Sequence, residues 1–133
     1  MKEENDTMRV RDEEEFQKKK AALMEKCFDC YAEKGLASVG IRALAEACGC
    51  SSAVLYTYFA DLDDLIVQST AHCMAKVEDD FMAKAPTELR DVERFIREVP
   101  YWTAREHGKK YRLMYQVYTL PKYIEHGKKF FQG

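Results

Sequence analysis

The sequence has few of the residues that interrupt regular structure, with six glycines and three prolines among 133 residues. It also lacks any apolar run that approaches the roughly 18 residues of a membrane-spanning helix. Residues 1–16 are mostly charged and lack the apolar segment of a secretory signal. Apolar residues nevertheless make up 47% of the chain, which is too many for a disordered protein. The composition therefore predicts a packed helical protein without a membrane span, located in the cytoplasm.

An excess of basic charge is also missing. The net charge is −2, and residues 1–60 contain nine Lys and Arg against eleven Asp and Glu. Contact with a nucleic acid must therefore come from basic residues placed on one face of the protein. The candidates near the N-terminus are Arg9, Arg11, Arg42 and the lysines at 18–20.

Arrangements that would indicate an enzyme are absent from the sequence. No nucleophile motif, phosphate-binding loop or catalytic arrangement of paired carboxylates stands out, so we expect no catalytic activity and no cofactor. The five cysteines are an odd number in a chain expected to be cytoplasmic, which argues against a disulfide framework. Cys27 with Cys30 and Cys48 with Cys50 have spacings compatible with zinc binding or thiol-based sensing. Helix packing favours small apolar residues at these positions, so we interpret the cysteines as core residues and predict no metal site.

Helical spacing of apolar residues predicts an all-α fold. The first helix is expected at residues 12–34, after an arm. The second, Ile41–Cys48, is expected to end at Gly49, and the third to start after Ser51 as N-cap and to run to about Phe59. Two helices of about eight residues joined by a glycine-containing turn indicate a helix-turn-helix.

The rest of the chain predicts a long fourth helix, capped by Asp61 and running to about residue 83. Further helical segments are expected at residues 89–99, 101–107, 109–120 and 121–131. Pro100 and Gly108 mark the expected breaks. The segment 109–120 carries apolar residues on two faces and should be buried between neighbours.

Four features occur in order along residues 33–65: a glycine after the first helix, Ile-Arg-x-Leu-Ala in the second, Gly49 in the turn, and Leu-Tyr-x-Tyr-Phe at 55–59. The segment EKGLASVGIRALAEACGCSSAVLYTYFADLDDL resembles the DNA-binding head of the tetracycline-repressor (TetR) family of transcriptional regulators. The resemblance implies an arm and a helix-turn-helix domain over residues 1–60. It also implies a helical regulatory and dimerisation domain over 61–133, with the fourth helix joining the two.

Residue roles follow from the resemblance, which places the third helix in the major groove of double-stranded DNA. Base edges would be contacted by Ser52, Ala53, Val54 and Thr57. Phosphates or sugars would be contacted by Tyr56 and Tyr58, with Ser51 at the helix start, and Arg42 would contact the backbone or a base. The N-terminal arm would be available for the minor groove.

The chain departs from the family pattern in three ways. Gly40 stands where the family usually has a capping Ser or Thr, and it offers no side-chain acceptor. Leu62 stands where the family commonly has a lysine that neutralises a phosphate. The helices that pair subunits in the family would fall beyond Gly133, so we expect a short or truncated C-terminal domain.

The resemblance implies a small-molecule effector bound in the C-terminal domain. Its candidate pocket residues are Phe95, Trp102, Tyr111, Met114, Tyr115 and Tyr118; the alternative is that this aromatic set forms ordinary core. We also expect Tyr123, Ile124, Phe130 and Phe131 to be exposed unless covered, which predicts a homo-oligomer.

Together these features predict an effector-responsive repressor that binds a palindromic operator as a dimer. The alternative is a helical interaction module that pairs with another regulator and does not itself bind DNA.

Overall fold

The computed structural model describes residues 2–132, with side chains from residue 7 onward, and shows no strand over this range. Its α helices are α1 (Lys2–Lys34), α2 (Ile41–Cys48), α3 (Ser52–Tyr58), α4 (Leu62–Lys84), α5 (Val92–Thr119) and α6 (Ile124–Gln132). Two short 3₁₀ turns, Leu36–Ser38 and Leu89–Asp91, precede α2 and α5. The predicted all-α fold, with a helix-turn-helix followed by a long fourth helix, is confirmed. None of the helices in the described range has the length and apolar content needed to cross a membrane.

The ends of α2, α3 and α4 have the caps predicted from the sequence. Gly49 ends α2 in the left-handed region, with φ 67°, which a glycine adopts without steric cost. The Ser51 side chain accepts a hydrogen bond of 3.3 Å from the backbone N–H of Val54. Asp61 caps α4 in the same way, accepting one of 2.7 Å from the N–H of Asp64. These local interactions fix the turn between α2 and α3 and the start of α4.

The prediction for the start of α1 is wrong. The helix begins at Lys2 instead of residue 12, so the segment expected to be an arm is helical. Residues 2–15 contain no glycine or proline and are rich in Glu, Lys and Arg, which favour helix. Arg9 and Arg11 are exposed on this helix. An α helix is about 10–12 Å across and the minor groove about 6 Å wide, so the expected minor-groove contact does not follow from this structure.

The predicted breaks at Pro100 and Gly108 are also wrong, because α5 is one continuous helix through both residues. Pro100 removes the hydrogen bond to the carbonyl of residue 96. Ile96 and Pro100 are both exposed, so water can satisfy that carbonyl. A Cβ at Gly108 would meet no atom within 4 Å, and a glycine in a helix costs only about 1 kcal/mol. Packing of α5 against α1 and α4 outweighs both local penalties.

The burial of side chains in the last third of the chain differs from the prediction in both directions. Tyr123 is buried and Phe130 packs against the core, so the expectation that both are exposed is wrong. Ile124 and Phe131 are exposed as expected. Tyr115 is 68% exposed, so only part of the 109–120 segment is buried between neighbours. The final helix begins at Ile124, not at residue 121.

A single apolar core extends from Met24 to Tyr123. Helix α1 contacts α2, α4 and α5, and is therefore the central element. The largest side chains that are fully buried are Phe28, Leu44, Leu55, Leu65, Leu113 and Val117. They come from both sides of residue 60, so the helix-turn-helix and the C-terminal helices stabilise one another.

Candidate nucleic-acid interface

Helix α3 has one buried side and one exposed side. Leu55 and Phe59, one helical turn apart, are 0% and 2% exposed and fix the helix to the core. The opposite side presents exposed side chains at Ala53, Val54 and Thr57. The residues predicted to contact base edges are therefore accessible, apart from Ser52, which is half-buried. The arrangement suits a short helix that enters a groove without refolding.

The two tyrosines of α3 have different surroundings. Tyr56 is 48% exposed and projects from the helix. Tyr58 is half-buried, and its ring stacks on Phe16 of α1 with 4.6 Å between centroids and 22° between planes. Phe16 therefore positions Tyr58. No sequence signal indicated this contact, because Phe16 and Tyr58 lie in different helices.

The hydroxyl of Thr57 is engaged within its own helix. It donates a hydrogen bond of 3.1 Å to the carbonyl of Ala53. The oxygen keeps its acceptor capacity, and the exposed residue also carries a methyl group. Thr57 can therefore offer either a hydrogen-bond acceptor or an apolar contact to a base edge.

The start of α2 combines a free helix N-terminus with a cation. Gly40 provides no side-chain cap, and the first turn contains no acidic residue. Arg42 is exposed in that turn. Uncapped N–H groups, the positive end of the helix dipole and a guanidinium together favour a phosphate.

The acidic run after α3 is largely used for capping. Asp61 caps α4, and the Asp64 carboxylate accepts hydrogen bonds from the Ala60 N–H at 2.9 Å and from Gln68 at 2.8 Å. The Ala60 bond, followed by the Gln68 bond, lowers the pKa of Asp64. Both carboxylates face backbone N–H groups at the start of α4. Asp61 and Asp64, on either side of Leu62, are therefore engaged within the fold.

Asp63 ties the start of α4 to the turn before α6. Its carboxylate accepts hydrogen bonds from the Tyr123 hydroxyl and, at 3.1 Å, from the Lys122 ammonium. The Tyr123 bond and then the Lys122 bond lower the pKa of Asp63. The partners are 60 residues apart in the chain, so no sequence signal pointed to this contact.

The basic residues at 18–20 do not form one cluster. Lys20 is half-buried, and its ammonium lies 5.5 Å from the centroid of the Phe59 ring, as in a cation–π contact. Lys18 and Lys19 are exposed. Lys20 therefore contributes to packing beneath α3, while the other two are accessible.

The cysteines lie in or near the core. The sulfur atoms of Cys27 and Cys48 are 3.5 Å apart between α1 and α2. Burial is the main cause that raises the pKa of both thiols, and it raises the pKa of Cys73 to about 12. Neutral thiols are poor nucleophiles and poor metal ligands. Within residues 7–132, no three or more His, Cys, Asp or Glu side chains are grouped so as to hold a metal ion.

The six candidate effector residues do not surround one cavity. Phe95 and Trp102 line a groove between α4 and α5. Tyr115 and Tyr118 line a second groove against α6. Met114 is buried in the core, and Tyr111 packs against it.

Comparison with known proteins gives a match over the region that contains α2 and α3. A family model described as bacterial regulatory proteins of the tetR family matches residues 20–68. No curated protein and no solved structure matches the chain. The matched residues include the candidate DNA-contacting residues of α2 and α3, from Arg42 to Tyr58. Residues 20–68 are therefore similar to the tetR family of bacterial regulatory proteins, whose members are DNA-binding transcriptional regulators.

Proposed function

We propose that the protein is a repressor that binds a near-palindromic DNA site as a homodimer and releases it when a small molecule binds. It acts in the cytoplasm and has no enzymatic activity. The observation that carries the proposal is the exposed side of α3. There Val54 and Thr57 present small groups while Leu55 holds the helix to the core. Methyl and hydroxyl groups of this size contact thymine methyls and mixed base edges in the major groove.

Phosphate contacts would set the position of the helix on DNA. Arg42 and the uncapped start of α2 suit one phosphate, and Ser51 and Ser52 lie at the start of α3. The hydroxyls of Tyr56 and Tyr58 suit others. Such contacts fix orientation, while the side chains on α3 select the sequence.

Two copies are needed to recognise a palindrome, with their α3 helices about 34–36 Å apart. We assign the contact between copies to a C-terminal apolar patch formed by Tyr115, Ile124 and Phe131. All three side chains are exposed, and they border a groove of about 460 Å³ between α5 and α6. Exposed apolar side chains that cluster in this way usually mark an interface.

The dimer is tested by Phe131→Ser. Light scattering should show a shift towards monomer, and DNA affinity should fall in parallel because a single head loses the second half-site. Ile96→Ser is the matched control, since Ile96 is equally apolar, 63% exposed and outside the patch. A stable monomer of the unchanged protein at high micromolar concentration would rule out this interface.

Sequence recognition is tested by selecting bound duplexes from random DNA. Val54→Ala and Thr57→Val should change the selected bases. Tyr58→Phe keeps the ring that stacks on Phe16, so it should weaken binding to all sequences alike, by about 0.5–1.5 kcal/mol. Equal, sequence-independent losses for all three variants would contradict the assigned roles.

A second candidate function is a helical module that pairs with another regulator without binding DNA. The acidic excess in residues 1–60 and Leu62 in place of the family's lysine favour it. The capping roles of Asp61 and Asp64 weaken that case, because both carboxylates are held against backbone N–H groups at the start of α4. DNA binding as a function of salt separates the two candidates.

A further inference from the structure

A groove of about 560 Å³ lies between the C-terminal end of α4 and the first half of α5. We call it the α4–α5 groove. Its apolar surface comes from Phe95, Val99 and Trp102, with Tyr101 at its edge. Tyr101 is 79% exposed, so an aromatic surface is open to solvent here. The volume is in the range of small-molecule sites, which extends from about 300 to 1,000 Å³.

The aromatic rings of the groove are held in place by their neighbours. Phe95 contacts Phe81 of α4 with 5.4 Å between ring centroids. The rings of Trp102 and His107 are nearly perpendicular, with 5.6 Å between their centroids. The Lys84 ammonium lies 3.9 Å from the centroid of the Trp102 ring. A flat aromatic ligand would find fixed ring faces and edges to contact, which is the geometry that aromatic pairs prefer.

The charges that line the groove favour an anion. Three cations line it, Lys84, Arg97 and Arg105, against a single carboxylate, Glu98. Arg94 also pairs with Glu98, at 3.1 Å.

The carboxylates paired with the three cations do not line the groove. They are Asp80 for Lys84, Glu93 for Arg97 and Glu106 for Arg105. Exposed pairs of this kind are worth about 0–1 kcal/mol, so the cations can exchange partners for a bound anion.

We propose that the α4–α5 groove binds a small aromatic carboxylate. The ring lies against Trp102 and Phe95, and the carboxylate is held by Lys84 and Arg97. The role of this ligand as an effector rests on the proposed function, because α4 follows α3 directly and connects the groove to the candidate DNA interface. Binding itself does not depend on that role.

The test uses the full chain without DNA, so failure of ligand binding is distinguishable from failure of DNA binding. The probe is 2-naphthoate, measured by isothermal titration calorimetry. Trp102 is the only tryptophan, so its fluorescence reports the groove directly. We expect a Kd of about 1 mM or tighter, as suits a ligand of this size. The neutral isostere 2-naphthamide should bind at least about fivefold more weakly, because it cannot use the charges.

Lys84→Gln and Arg97→Gln should each weaken 2-naphthoate binding by about three- to tenfold. Arg112→Gln is the matched control: Arg112 is an exposed arginine of α5 that does not line the groove, and its loss should leave the Kd unchanged. Circular dichroism checks that each variant keeps its helices. Arg105→Gln replaces Lys84→Gln if the latter loses them.

Four results would overturn the proposal, and the first three concern the ligand and the variants. They are no heat and no change in Trp102 emission at millimolar 2-naphthoate, equal binding of the amide, or equal losses in the control variant. A Trp102 emission that changes with protein concentration while 2-naphthoate has no effect would also overturn it, and would assign the groove to contact between copies.

Discussion

The head, residues 20–68, and the C-terminal helices α5 and α6 differ in how many of their large apolar side chains are exposed. In the head, only Val54 and Tyr56 are exposed among them, and both lie on α3. In α5 and α6 the exposed ones are Ile96, Tyr101, Tyr115, Ile124 and Phe131. The head therefore closes its core and leaves large apolar side chains exposed only on α3. The C-terminal helices keep apolar surface exposed at the places that we propose bind a second copy and a small molecule.

The largest expected difference between the two regions is in the free energy of unfolding when a phenylalanine is replaced by alanine in each. Phe28→Ala, in the closed core, should lower the free energy of unfolding by about 3–5 kcal/mol. Phe131→Ala, at a side chain 69% exposed, should change it by less than about 0.5 kcal/mol. Urea unfolding at low protein concentration measures both without a contribution from self-association. Similar losses would mean that the two regions do not differ in this way.

Two glycines in the C-terminal helices have different surroundings, one in a tight contact between helices and the other on an open surface. A Cβ at Gly127 would lie 2.8 Å from the Cβ of Tyr118, whereas one at Gly108 meets nothing within 4 Å. Gly127→Ala should destabilise by about 1–3 kcal/mol, because α5 and α6 must separate. Gly108→Ala should stabilise by about 0.5–1 kcal/mol, since alanine favours helix. Thermal melting compares the two, and the same sign for both would contradict the packing of α6.

The contact of Asp63 with Lys122 and Tyr123 joins the two regions, and its contribution should depend on pH. The pKa of Asp63 is lowered below its ordinary value of 3.8, so its stabilisation is present above about pH 4. It is lost as the pH falls through the lowered folded-state value. Asp63→Asn should therefore be less stable than the unchanged protein at pH 7 and should approach it in acid. A difference that is constant from pH 7 to acid would show that ionised Asp63 does not stabilise the contact.

The smallest effect concerns metal. Because the thiols of Cys27 and Cys48 are buried and neutral, removing metal with a chelator should leave helical content and melting temperature unchanged. Purified protein should carry less than stoichiometric zinc. One tightly held zinc per chain, with unfolding on its removal, would replace the packing interpretation with a structural metal site.

Signals that act over a few residues were predictable from the sequence. Gly49, Ser51 and Asp61 each fix a helix end through neighbours three or four residues away, so the end of α2 and the starts of α3 and α4 follow from local chemistry. The continuity of α5 through Pro100 was not predictable, because packing against α1 and α4 offsets a local penalty.

In the candidate site too, features set by neighbouring residues were predictable and contacts between distant segments were not. Which residues of α3 are exposed follows from helical spacing and the resemblance. The stacking of Tyr58 on Phe16 and the bond of Asp63 to Tyr123 arise between distant segments. Aromatic residues of α5 were identified from the sequence, but their division between two grooves depends on where α4 and α6 lie.

The central claim is that α2 and α3 form a DNA-binding surface. The most direct test is the affinity for a fluorescent random duplex, measured by anisotropy between about 50 and 200 mM salt. We expect binding that weakens steeply with salt, with a slope of about 0.9 per phosphate contact.

Arg42→Gln should reduce that slope by about one, and Arg94→Gln, a control on α5, should not change it. Absence of binding at the lowest salt, or identical slopes for both variants, would contradict the account. Either result would favour the module that pairs with another regulator.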